Sequence, residues 1–259
     1  MKIAIIGAGN MGGAIARGLA HSNIDVNIAV ADLDEGKLGE LNAEYNTIET
    51  STDSKSIVAD ANVVLVAVKP WLVEPVLKGV LPVLDLSRQI ILSIAAGVDI
   101  ATLTSWLGND KAVVFRAIPN TAISILQSMT FVSHNANATK EQVAQVEAIF
   151  NALGKAAVIE ERLMGAATSL CSCGIAFAMR YVRAATEGGV ELGIYPNDAK
   201  QYVLQTLRGA VELLEATGNN PEVEIDKVTT PGGITIKGLN AMEANGFTNA
   251  VIEGLKASK

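Results

Sequence analysis

A chain of 259 residues exceeds the roughly 100–200 residues of a typical domain, so two units are expected, each able to bury a core. A formal charge of −7, only 4% aromatic residues and no basic cluster argue against a nucleic-acid partner, and 49% hydrophobic residues argue against disorder. No apolar run approaches the roughly 20 residues of a membrane span, and Ile3 to Ile6 is too short for a signal segment, so no membrane partner is expected.

The chain opens with an apolar strand, Lys2 to Ile6, that runs into Gly7-Ala8-Gly9-Asn10-Met11-Gly12, and Met11 to Ala20 then carries apolar residues at helical spacing. Strand, glycine spacing and helix together form a dinucleotide fingerprint. Gly7 serves the tight turn, Gly9 lets the backbone approach a pyrophosphate, and Gly12 lets helix and strand pack closely. The phosphates then sit on unpaired N–H groups at the helix start. A glycine-rich turn without ligand is the plainer alternative.

Val26 to Ala31 is a second strand, ending in Asp32 about 20 residues beyond Gly12, where a carboxylate binds both ribose hydroxyls. NADH is favoured over NADPH on that rule, because a ribose phosphate meets a like charge and Leu33 offers no guanidinium, although Lys37 can swing in. Alternatively Asp32 caps the next helix, which begins Asp34-Glu35. Further along, Asp53 and Ser54 begin a helix, and Val63 to Val68 is a strand leading through Ala67-Val68 into Lys69-Pro70. Lys69 places a charge near ribose or phosphate and Pro70 fixes the turn; a solvated loop lysine is the alternative. Ile90 to Ala95 is a strand followed by Ala95-Ala96-Gly97, and Ala112 to Ile118 is a fifth strand ending in Pro119-Asn120-Thr121. The Asn120 amide there can read a nicotinamide amide or a substrate, unless Pro-Asn simply forms a turn. These loops share the carboxyl edge of an open sheet, where ligands bind. Met129 to Ser133 and the helix Lys140 to Leu153 complete the unit.

Residues 1–160 thus read as repeated β-α units around a parallel sheet, a doubly wound α/β domain of the Rossmann-like kind. From Arg162 the period changes. Gly165 to Leu192 and Asn197 to Thr217 are alanine-rich with apolar residues three and four apart, and Thr230-Pro231-Gly232-Gly233 is a glycine-rich turn opening a helix from Ile234 to Ala244, whose N–H groups can receive a carboxylate. Residues 161–259 therefore form an all-helical domain with broad apolar faces. A partner subunit is the simplest cover for them, and complete mutual cover is the alternative.

Cys171 and Cys173 are the only cysteines, and a helical Cys-x-Cys pair points its side chains apart. No disulfide or metal site is expected, which fits a reducing, cytoplasmic compartment. His21 and His134 lie outside every motif and read as solvated surface residues.

Taken together, Gly7 to Gly12, Ala67 to Pro70, Ser93 to Val98, Arg116 to Thr121 and Pro231 to Thr235 resemble the pyrroline-5-carboxylate reductases, in order and spacing over nearly the whole chain. The resemblance implies the last step of proline biosynthesis, hydride transfer from NAD(P)H to the cyclic imine 1-pyrroline-5-carboxylate. It also implies a homodimer through the helical domain, with the active site at the interface, and leaves assembly of dimers into a ring open. It assigns Gly233 backbone contacts to the substrate carboxylate, with Gly232 beside it in the substrate site, and Thr235 a hydrogen bond near the ring nitrogen. The chain departs from the family's Ser-Gly-Ser-Gly-Pro-Ala at Cys171-Ser172-Cys173-Gly174-Ile175-Ala176, where Cys173 replaces a substrate-side hydroxyl, and this bears on substrate affinity or identity. Asp32 departs from the hydroxyl, amide or arginine of many NADPH-preferring members, and Ser54 stands where an asparagine near the adenosine is common. Two other classes compete: a β-hydroxyacid dehydrogenase, disfavoured because Gly174 to Leu192 holds no lysine, and a non-catalytic dinucleotide sensor, disfavoured by Thr235 and Gly232-Gly233.

Overall fold

Short runs of aliphatic residues become the strands of an eight-stranded sheet in the computed structural model, which describes residues 1–259. The strands are β1 (Lys2–Ile6), β2 (Asn27–Ala31), β3 (Glu49–Ser51), β4 (Val63–Val66), β5 (Ile90–Ser93), β6 (Val113–Ile118), β7 (Ser128–His134) and β8 (Gly154–Val158), in the spatial order β3-β2-β1-β4-β5-β6-β7-β8. Between them run α1 (Asn10–His21), α2 (Glu35–Glu44), α3 (Ser54–Val58), α4 (Pro70–Val80), α5 (Ile100–Leu107) and α6 (Lys140–Asn151), and α7 (Met164–Ala167) follows β8. The chain divides into a unit spanning Met1–Ser172 and another spanning Cys173–Lys259.

Alternation along the central strands fills both faces of the sheet. Ile3, Ile5, Val63 and Leu65 meet Ile15 and Leu19 of α1 and Ile149 and Phe150 of α6. Ala4, Ile6, Val64 and Val66 meet Val73 and Leu77 of α4 and Leu103 and Leu107 of α5 on the other face. A strand buried on both faces reads as a continuous apolar run, and each such side chain contributes about 1.5–3 kcal/mol.

The sheet is not wholly parallel, as the sequence reading expected: β7 runs antiparallel to β6, with Phe115 opposite His134. The connection 119–127 is too short for a parallel crossover and forms a 3-10 turn over Thr121–Ile125 instead. The register also corrects the expectation for His134, whose ring packs 5.4 Å from that of Phe115 and is half-buried rather than solvated. Two strands lie outside the expected set, β3 and β8, and because β3 precedes it the strand before Pro119-Asn120, which ends at Ile118, is the sixth and not the fifth.

The second unit holds α8 (Gly174–Glu191), α9 (Pro196–Thr217), α10 (Pro221–Val228), α11 (Ile234–Ala244) and α12 (Phe247–Ala257). Proline at the first position starts α9 and α10, where its missing N–H has no partner to lose. Mutual cover of the helices fails: Ala199 and Glu224 alone are buried here, while Met179, Tyr181, Tyr202, Val211 and Ile252 stand open. A helical unit this exposed carries a surface meant for covering. The expectation that no apolar run reaches membrane length is also corrected. The helical tract Glu161–Glu191 is long and apolar enough by length and composition, because its small residues come with few charges.

Candidate active site

Six parallel strands bring their following loops to one edge of the sheet, and three of the helices that start there are capped by aspartates: Asp34 on α2, Asp53 on α3 and Asp99 on α5. Helix α1 differs. Its cap is Gly9, no side chain satisfies its first turn, and the N–H groups of Asn10, Met11 and Gly12 have no partner in the chain. Bare donors at a helix start form an anion site.

The three glycines of this loop have separate reasons. Gly7 has φ +110°, and a Cβ there would lie 2.7 Å from the Ala67 carbonyl oxygen. At Gly12 a Cβ would lie 2.0 Å from the Gly7 oxygen and 2.9 Å from Ala67 Cβ, so α1 crosses β1 only without a side chain. A Cβ on Gly9 would meet nothing within 4 Å, at an ordinary φ of −66°. The protein itself therefore requires Gly7 and Gly12, whereas the space before Gly9 is open to a ligand. Gly9→Ala is expected to melt within about 0.5 kcal/mol of the parent yet raise the dinucleotide KM about ten- to a hundredfold, because its methyl group occupies the space through which the pyrophosphate approaches the backbone. Gly12→Ala is expected to lower stability outright. Thermal melts beside cofactor titrations separate the two.

Asp32 lies beside this loop. Its Oδ2 accepts the Ala8 N–H at 2.6 Å and its Oδ1 accepts the Asp34 N–H at 3.0 Å. The capping alternative belongs to Asp34, whose carboxylate takes the N–H groups of Gly36 and Lys37. Lys37 Nζ pairs with Asp34 at 3.1 Å, and its charge also acts on Asp32. That pairing, chiefly its hydrogen bond, holds the Asp34 carboxyl below the usual carboxylate range and raises the Lys37 ammonium. Leu33 is 91% exposed at the same edge.

The other expected cofactor residues gather along this edge. Ala67 touches the Gly7–Gly12 loop, Val68 is half-buried beside it, and Lys69 is exposed at the uncapped start of α4 with Pro70 at its first position. The hydroxyl of Ser54, half-buried at the first position of α3, has no partner in the chain. Ala95 is buried, while Ala96 and Gly97 are exposed and Gly97 has φ +77°. Asn120 behaves as the turn-former. Its Oδ1 accepts the Ala122 N–H at 3.0 Å and its Nδ2 donates to the Cys171 carbonyl at 3.4 Å, with the residue 8% exposed. These two bonds shape the loop after β6.

In the helical unit, Thr230 to Gly233 form a type II turn: the Gly233 N–H donates to the Thr230 carbonyl at 2.9 Å and Gly232 has φ +73°. The Gly233 N–H therefore closes the turn. The free donors are the next three, Ile234, Thr235 and Ile236, in the uncapped first turn of α11. The Thr235 hydroxyl, half-buried, also has no partner in the chain.

A family model described as pyrroline-5-carboxylate reductase dimerisation matches residues 161–259, and one described as NADP oxidoreductase, coenzyme F420-dependent, matches residues 2–97. Pyrroline-5-carboxylate reductase 1 of Dictyostelium discoideum is 38% identical over 99% of this chain, which spans 48% of that longer protein. The pyrroline-5-carboxylate reductase of Methanosarcina acetivorans is 35% identical over 100% of this chain and 97% of its own. The chain belongs to the pyrroline-5-carboxylate reductase family. The crystal structure of the Plasmodium falciparum pyrroline carboxylate reductase with NADP bound superposes with a TM-score of 0.89 at 27% identity, over 100% of this chain and 95% of that one.

This reductase is accordingly an NAD(P)H-dependent oxidoreductase with a dimerisation module at its C-terminal end. Its departure at Cys171 to Ile175 takes a form the sequence did not suggest. Thr168–Cys173 is a turn of π-helix between α7 and α8, so Cys173 sits at helical φ −76°, ψ −37° within a continuing helix. Ile175, with an N–H that proline lacks, lets the helix run on. Cys171 and Cys173 are both free and half-buried, and burial pushes the Cys171 thiol up.

Proposed function

We propose that the protein reduces 1-pyrroline-5-carboxylate to L-proline, taking hydride from NAD(P)H, with residues 1–160 binding the dinucleotide and 161–259 binding the imine and a second copy of the chain. The observation that carries the reading is the start of α11: free N–H groups at Ile234, Thr235 and Ile236 and an unpartnered Thr235 hydroxyl, set on a Pro-Gly-Gly turn. A small substrate with a carboxylate next to a ring nitrogen matches both features.

The nicotinamide supplies the hydride; the chain supplies position. The N–H groups of Asn10, Met11 and Gly12 hold the pyrophosphate, Asp32 the ribose hydroxyls, and Lys69, Ser54 and the Ala95-Ala96-Gly97 loop line the rest of the dinucleotide. At the substrate, the α11 donors hold the carboxylate and Thr235 steadies the ring nitrogen, while Gly232 and Gly233 shape the turn and Cys173 lines the pocket. A protonated iminium is already electrophilic, so holding it against the nicotinamide face accounts for most of the acceleration and no strong acid is needed. A second copy, rather than a lipid phase, covers the open faces of α8 and α9, which fits a dimerisation module and a cytoplasmic protein.

The test is the initial rate of NADH and NADPH oxidation by the purified protein with 1-pyrroline-5-carboxylate, with proline identified as product. Turnover at rates of about 1–1,000 per second supports the proposal, and absence of turnover with both cofactors overturns it.

A further inference from the structure

The loop after β5 is held at both ends. At one end the buried Ser93 Oγ accepts the Ala95 N–H at 3.2 Å. At the other, the Ile100 N–H, first in α5, donates to Glu161 Oε1 at 2.8 Å across 61 residues of sequence. Between these anchors Ala96 and Gly97 are exposed, and a Cβ on Gly97 would meet nothing within 4 Å.

Glu161 does not act alone. Asp99 caps the same helix start through the Thr102 N–H at 2.8 Å, which sets two carboxylates on one helix turn. Arg116 of β6 stands by them, 3.4 Å from Glu161, with 12% of its side chain exposed. The hydroxyl and N–H of Thr102, backed by the Arg116 charge, hold the Asp99 carboxyl below the usual carboxylate range. Arg116 Nη1 donates to Glu161 Oε1, while its Nε is buried with no partner.

We propose that Glu161 is a positioning residue for the dinucleotide: its carboxylate, balanced by Arg116, caps α5 from outside and thereby fixes Ala95-Ala96-Gly97 for the cofactor. The inference rests on the reading that this loop lines the dinucleotide. Glu161 lies in the stretch matched to the dimerisation module, yet the Ile100 N–H it holds belongs to the α5 that follows the cofactor loop.

The experiment is equilibrium titration of the full-length protein with NADH and NADPH, followed by nicotinamide fluorescence, alongside thermal melts. Glu161→Ala is expected to raise both dissociation constants about tenfold, the effect of losing one cap. Glu161→Gln, which keeps an oxygen for the Ile100 N–H, is expected to stay within about twofold of the parent. Thr139→Ala removes the comparable cap of α6, far from any expected ligand, and is expected to lower the melting temperature with cofactor affinity unchanged. A Glu161→Ala protein that binds like the parent, a Gln variant as weak as the Ala variant, or a Thr139→Ala protein that loses the same affinity overturns the inference. A parent that binds neither cofactor overturns the cofactor reading with it.

Discussion

Replacing Asp32 by serine is expected to turn a preference for NADH into one for NADPH, shifting the ratio of their kcat/KM values by about two orders of magnitude. The carboxylate is held by the N–H groups of Ala8 and Asp34, so it stays in place facing a ribose phosphate. A phosphate about 4 Å from that charge meets repulsion of about 4 kcal/mol per unit charge at a surface-like dielectric, whereas ribose hydroxyls gain two charge-assisted bonds. Serine removes the repulsion and both strong acceptors at once. Adding Leu33→Arg should carry the change further, because Leu33 is 91% exposed and a guanidinium there disturbs no packing. Steady-state kinetics with both cofactors across the two variants check this; a parent that already prefers NADPH refutes it.

What could be read in the chain follows from where physical signals are local. Val63 to Val66 and Ile90 to Ser93 are continuous apolar runs because both faces are covered, and their limits were legible to within two residues. By contrast β3, Glu49-Thr50-Ser51, carries no apolar signal: it exists because β2 offers it an edge, with Ala29 to Ala31 as partners. The strand β8 was hidden behind Leu153, which continues the apolar spacing of α6, although Gly154 with φ +142° and a Cβ position 2.2 Å from the Ser128 oxygen marks the break. The antiparallel β7 was legible and overlooked, since the connection 119–127 has no room for a crossover helix.

The candidate site was legible where backbone chemistry follows from residue type and illegible where it depends on long-range partners. Glycine spacing pointed to α1, and the structure adds the reason each glycine stands there. Nothing in the sequence indicated that the Asn120 Nδ2 reaches the Cys171 carbonyl or that Glu161 reaches Ile100, whereas the turns at Pro119-Asn120 and Pro231-Gly232-Gly233 were among its readings. Both long-range bonds depend on which groups are left unpaired after folding, and they join residues 51 and 61 positions apart.

Thr235→Ala is expected to reduce imine turnover about a hundredfold while leaving the dissociation constants of NADH and NADPH unchanged. Thr235 occupies the second position of α11, where its hydroxyl has no partner in the chain, and its loss strands no other group. Alanine is the better helix former, so the variant should melt at or above the parent temperature, and lost activity then reports chemistry rather than folding. The carboxylate donors at Ile234, Thr235 and Ile236 are backbone groups that the substitution leaves in place, so substrate KM should change far less than kcat. Serine at the same position keeps the hydroxyl and should recover most of the rate. Full turnover in the alanine variant would remove Thr235 from the mechanism and leave the ring nitrogen to be held by the backbone alone. A loss shared equally by alanine and serine would place the effect in the threonine methyl group, and so in packing of the first turn of α11.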